Sequence, residues 1–165
     1  MLAGKTLLLL SLAAPVALSA PRLEIMVLTD GPKLRRTDPW PAASPVFDPH
    51  TRHIDLAGAR NETLGFQILL RPAPGVSRVD GVSVVTGDLQ GHGGAAIGKA
   101  NMELLRAWFV EVREPSFTGG IRGLGPGEYP DPLVPLRSPR HGAPFSVDRP
   151  EMLFVDLHIP HGTPP

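Results

Sequence analysis

Prolines and glycines, 38 of the 165 residues, limit this chain more than any other feature. A proline inside a helix removes a backbone donor and clashes with the preceding turn. Glycine and proline punctuate a chain into short elements. Between these breakers the apolar residues gather into short runs separated by turn chemistry. That pattern predicts an all-β, antiparallel β-sandwich, immunoglobulin-like or jelly-roll-like, and argues against a helical globule.

The runs alternate as half-buried strands do. In "RLEIMVL" Leu23, Ile25 and Val27 share one face. A stiff loop follows from Arg35 to Pro49, with Trp40 among its prolines. Ile54 and Leu56 form a short strand, and Thr63 to Arg71 a longer one with Phe66, Ile68 and Leu70 on one face. Val79, Val82, Val84 and Val85 suit another strand because β-branched residues pack on a pleated surface. "MELLRAWFVEVRE" meets helical spacing in part, but its valine-rich end and Pro115 favour a strand that places Trp108 with Val110 and Val112 in the core. "MLFVDLHIP" gives the last strand, with Leu153, Val155, Leu157 and Ile159 together. "YPDPLVPL" (129–136) holds three prolines and is expected to cross as an extended loop, its Leu133, Val134 and Leu136 plugging the gap between two sheets.

Residues 1–20 have the order of an export signal: Lys5, an apolar run, and small residues at Ala17 and Ser19. The run is too short to span a bilayer and Pro15 interrupts it. The expected mature domain, residues 21–165, is therefore exported to the periplasm or beyond, with no membrane attachment after cleavage. Loss of Lys5 leaves 15 basic against 16 acidic side chains. Scattered arginines with no net positive field argue against a nucleic-acid partner. The absence of cysteine removes thiolate catalysis and Cys-ligated zinc. Neither His50 with His53 nor His158 with His161 has a third ligand in its surroundings, so no metal site and no cofactor is expected.

Few residues suggest chemistry. Glu128 and Asp131 are close in sequence, but a catalytic carboxylate pair must face across a bond, and Tyr129 and Pro130 intervene. Asp131 is expected to accept N–H groups within its own turn. "GGIRGLGPG" lacks the Lys-Ser/Thr ending of a phosphate loop and has no helix after it. "NET" (61–63) matches a glycosylation sequon, and Asn61 and Glu62 are expected to shape the turn before the long strand. Trp40 offers a ring that either stacks on a sugar or meets a neighbouring domain.

Three runs in series, "ARNETLGFQILLRP", "YPDPLVPL" and "LFVDLHIPHGTPP", resemble the N-terminal domain of glycoside hydrolase family 123 and of the related bacterial proteins grouped as domain of unknown function 4091. The resemblance implies a β-sandwich that precedes a catalytic (β/α)-barrel acting on N-acetylated aminosugar glycosides. It further implies that the sandwich here is incomplete at its C-terminus, because "HGTPP" introduces a strand that does not follow. The family's catalytic Asp-Glu dipeptide has no counterpart in this sequence, so no catalytic residue carries over. The expected role is a non-catalytic module supporting the barrel, which is its expected partner. Trp40, Glu128, Tyr129 and Asp131 are the candidates for binding or for the domain interface. Direct glycan recognition is the alternative, and it asks for a planar row of aromatics from a chain with 5% aromatic residues.

Overall fold

The computed structural model describes residues 7–8, 22–91, 95–114 and 123–164. Of the expected export signal, only Leu7–Leu8 lies among them, as a short strand β1. The strands that follow are β2 (Leu23–Thr29), β3 (Phe47–Asp48), β4 (His53–Asp55), β5 (Thr63–Pro72), β6 (Val79–Val82), β7 (Leu89–Gln90), β8 (Ala96–Ile97), β9 (Met102–Val112), β10 (Gly127–Pro135), β11 (Phe145–Val147) and β12 (Glu151–His158). A single turn of 3-10 helix, Lys99–Asn101, precedes β9. No helix among the described residues is long and apolar enough to cross a membrane.

The frame is a five-stranded sheet in the order β10-β9-β12-β5-β2. Each neighbouring pair is antiparallel. β5 is an interior strand between β12 and β2, and its Phe66 to Leu70 are buried in succession. A strand covered on both faces reads as a continuous apolar run instead of an alternation, and "FQILL" is such a run. One face of the sheet carries Val27, Phe66, Ile68, Leu70, Leu153 and Val155. Ile54, Phe145 and Val147 pack against it from the second layer, and Leu136, directly after β10 of the main sheet, joins the same core. That layer is built of short pieces, β1-β4-β3 and β11-β6. β7-β8 adds Leu89 and Ile97 to Leu157 and Ile159. The fold is therefore all-β, antiparallel and sandwich-like, as the spacing of breakers predicts.

The opposite face is covered by a loop. Leu28, Leu69, Ala107 and Met152 meet Leu34 and Trp40 of the β2–β3 connection there. Gln67 fastens the loop as it leaves β2. Its side-chain amide donates to the carbonyls of Thr29, Asp30 and Pro32 at 2.8–3.1 Å. An amide has two N–H groups, so one of them is shared. The loop then crosses to β10, where the Arg36 N–H donates to the Glu128 carbonyl at 3.0 Å.

Three expectations need correction. "YPDPLVPL" is not a loop: residues 129–135 belong to β10, an edge strand with a register shift between Pro130 and Leu133. Proline is excluded from central strands but not from edges. The Arg36 bond shows that the Glu128 backbone points away from β9, so Pro130 does too. Leu136 N–H donates to Leu104 on the β9 side, which turns Pro135 outward. Both prolines thus lack an N–H where no ladder bond needs one. Of the three apolar residues expected to plug the sheets, Leu136 is buried but Leu133 is exposed. Trp108 is also no core residue: it is 46% exposed, and Val110 is 44% exposed. Their alternation is correct, but among the described residues the second layer does not reach that end of β9. The turn before β5 does follow expectation, since the Glu62 carboxylate accepts the Ala59 N–H at 2.6 Å.

Candidate functional site

The four singled-out residues lie in two places. Trp40 lies on the β2 side of the sheet, and Glu128, Tyr129 and Asp131 lie on β10.

Beside β2 is a groove of about 600 Å³. Leu23 to Val27 form one wall, Pro39 to Ala42 another, and Phe47, Pro49, Arg52 and Ile54 close it. Alternate residues of a strand point to opposite faces, so a cavity lined by consecutive β2 residues lies against the strand's edge. The ladder shows what that edge presents. Ala73 N–H donates to the Arg22 carbonyl at 2.9 Å. Hydrogen-bonded pairs alternate along an antiparallel ladder, so Glu24, Met26 and Leu28 bond to β5 while Leu23, Ile25 and Val27 turn their N–H and C=O outward. The Leu23–Pro72 pairing agrees, because Pro72 has no N–H to give.

Two charges beside the groove are already matched. Arg71 Nε donates to Glu24 Oε2 at 2.5 Å, and its guanidinium lies 4.3 Å from the centre of the Trp40 ring. Trp40 is half-buried by this contact and by the loop-side core. Arg52 is exposed and has no ion-pair partner among the described residues.

On β10 Glu128 serves structure. Glu128 Oε1 lies 3.2 Å from Arg36 Nε and 3.5 Å from Arg149. Arg36 is buried. Its Nη1 donates to Glu151 Oε1 at 3.0 Å and to the Pro150 carbonyl at 2.6 Å, and its guanidinium covers Phe109 at 3.8 Å. Arg106 holds the other oxygen of Glu151 at 3.0 Å. Asp131 is exposed at the bulge and accepts no backbone bond among the described residues, contrary to its expected turn role. Tyr129 donates to the Gly125 carbonyl. It lies opposite Val110 in the ladder, on the strand face that also carries Trp108. The Trp108 ring meets His141 edge-on at 4.8 Å.

A third cluster escaped the sequence reading. Asp156 and Glu103 are cross-strand partners in a polar cleft with Asn101, Arg137 and His158. Burial raises the Asp156 pKa from its ordinary value, and the charges of Glu103 and Asp30 add to it. Arg137 holds Glu103 at 3.1 Å, and the Thr63 hydroxyl lies 3.4 Å from His158 Nδ1. No local motif could announce this pair, because only the strand register joins them. Among the described residues no group of histidine and carboxylate side chains is placed to hold a metal.

Comparison with known proteins adds no family: no family model matches the chain, and no curated protein matches it.

Proposed function

We propose that this chain is the non-catalytic β-sandwich module of an exported glycoside hydrolase-like protein, and that it supports a (β/α)-barrel domain which carries the chemistry. On this reading residues 1–20 direct export. The observation that carries the proposal is the end of β9, which no described residue of the second layer covers. Trp108 and Val110 are both nearly half exposed on one strand face, with Tyr129 opposite Val110. Adjacent large apolar side chains left open on a folded surface mark an interaction site. Of the two acids on β10, Glu128 is paired with Arg36 and Arg149 and Asp131 is exposed without a partner among the described residues, so they do not converge on an open cleft. Direct glycan recognition is less well supported. Its stacking row would need neighbouring rings, whereas Trp40 lies against Arg71 and Trp108 against His141 on separate elements.

Two measurements test this reading. The coding sequence beyond Pro165 is expected to encode a barrel with an adjacent Asp-Glu pair at a strand end. A different downstream domain, or none, overturns the proposal. In the protein that includes that domain, Trp108→Ser with Val110→Ser should weaken domain association about tenfold or more, as loss of an anchoring aromatic does. The same substitutions should leave the stability of the isolated module nearly unchanged. Equal association of both proteins removes β9 from the interface.

A further inference from the structure

The groove beside β2 is a different surface from the β9 patch, and its chemistry is more specific. We propose that it takes an extended segment of a partner polypeptide, which adds to the sheet beyond β2 as a further strand. The inference does not rest on the barrel reading.

The backbone selects the class of ligand. Leu23, Ile25 and Val27 present alternating donors and acceptors to the groove, and among the described residues no backbone group outside the ladder pairs with them. An apolar small molecule would cover these groups without pairing them, and each buried unpaired group costs about 1–3 kcal/mol. A peptide strand matches them, because it carries the same alternation at the same spacing. The groove volume of about 600 Å³ lies in the range of ligand sites. Its length along Leu23 to Val27 accommodates about five extended residues at roughly 3.4 Å each.

The walls select the side chains. Ile25, Val27, Phe47, Ile54 and Ile68 make an apolar floor. Glu24 and Arg71 neutralise each other, which leaves Arg52 as the uncompensated charge among the described lining residues. The segment is therefore apolar and β-branched, free of proline, with a carboxylate placed to meet Arg52. A second copy of this chain fits less well. Each copy carries the Pro39–Ala42 wall beside its own β2, and two such walls compete for a space one strand wide.

The test uses the full chain and the peptide probe Ac-TVTVTVD, read by calorimetry and by amide hydrogen exchange. Binding is expected to slow exchange at Leu23, Ile25 and Val27 more than at other β2 amides. N-methylating alternate probe residues distinguishes pairing from filling. One alternate set should weaken binding about tenfold or more, equivalent to roughly 1.4 kcal/mol, and the other set should leave it unchanged. Arg52→Ala and amidation of the probe's acid should each weaken binding, and their effects should not add. Arg52 is exposed, so that variant retains its fold. Four results overturn the proposal. In one, both methylated sets bind alike. In another, the three amides are already protected in the dilute free chain, which places a segment of the same chain in the groove. Protection that rises with protein concentration assigns the edge to a second copy. Failure of the probe to bind ends the idea.

Discussion

The sheet has two edges, and they are built in opposite ways. At the β10 edge Pro130 and Pro135 turn a donorless backbone outward, a register shift breaks the strand, and Arg36 occupies the Glu128 carbonyl. These are the devices by which sheets avoid pairing with other chains. At the β2 edge there is no proline from Leu23 to Thr29, the register is unbroken, and alternate backbone groups face a groove. The difference teaches that edge protection here is selective. A fold that merely had to stay monomeric would have reason to block both sides.

The charges follow the same division, and the largest predicted effect tests it. Glu151, with Arg36 and Arg106, is buried on the β10 side. Glu24 and Arg71 on the β2 side are both more than one-third exposed at their side chains. Breaking a buried pair strands the partner's charge and costs about 3–5 kcal/mol, whereas an exposed pair is worth about 1 kcal/mol or less. Urea unfolding of Glu151→Ala should therefore show a far larger loss than Glu24→Ala. Equal losses would mean that the two sides are not differently built.

Gln67 links the two edges, because it fastens the loop that leaves β2 and reaches β10. Its Oε1 has no partner although it is buried, so the side chain contributes through its donors alone. Gln67→Ala should cost about 1–3 kcal/mol by removing the donor shared by three part-buried carbonyls. It should also raise hydrogen exchange at the Arg36 amide, which the loop delivers to Glu128. Unchanged exchange there would show that the loop end is held independently of its start.

These elements differ in how far the sequence discloses them. Alternation alone identifies the core faces of β2, β5 and β12, because Val27, Ile68 and Val155 are buried through local periodicity. Trp108 obeys the same alternation, yet its exposure depends on whether a second layer extends over it, which is a property of distant segments. The prolines of β10 exclude a central strand correctly. They do not distinguish a loop from an edge, since that depends on which way each missing N–H points. The groove and the Asp156–Glu103 pair require the strand order and register, and neither is encoded within a single run. Trp40 was legible as an aromatic in a stiff loop, but its Arg71 contact was not.

Restoring donors to the protected edge probes the comparison directly. Pro130→Thr with Pro135→Thr adds outward N–H groups while leaving the β9 ladder intact. Stability should change by less than about 1 kcal/mol, within the span of strand propensities. Self-association, measured by sedimentation, should increase. If the protein stays equally monomeric, the Arg36 contact and the register shift are sufficient guards by themselves.

The smallest effect belongs to the interior of the sheet, between the edges. Asp156 faces Glu103 across the β12–β9 ladder, and like charges placed opposite each other destabilise a pair of strands by about 0.2–1 kcal/mol. Its folded pKa is raised, first by burial and then by Glu103 and Asp30. The folded state therefore holds the proton more tightly than the unfolded chain. As pH rises from the unfolded pKa through the folded one, this site makes the protein less stable, and the penalty is fully present above that window. Asp156→Asn removes the penalty, so the variant should melt higher at neutral pH by an amount equivalent to about 1 kcal/mol or less. The advantage should shrink as pH falls through the carboxylate range, where the wild-type acid becomes neutral. An advantage that persists undiminished in acid would point to side-chain packing instead of charge.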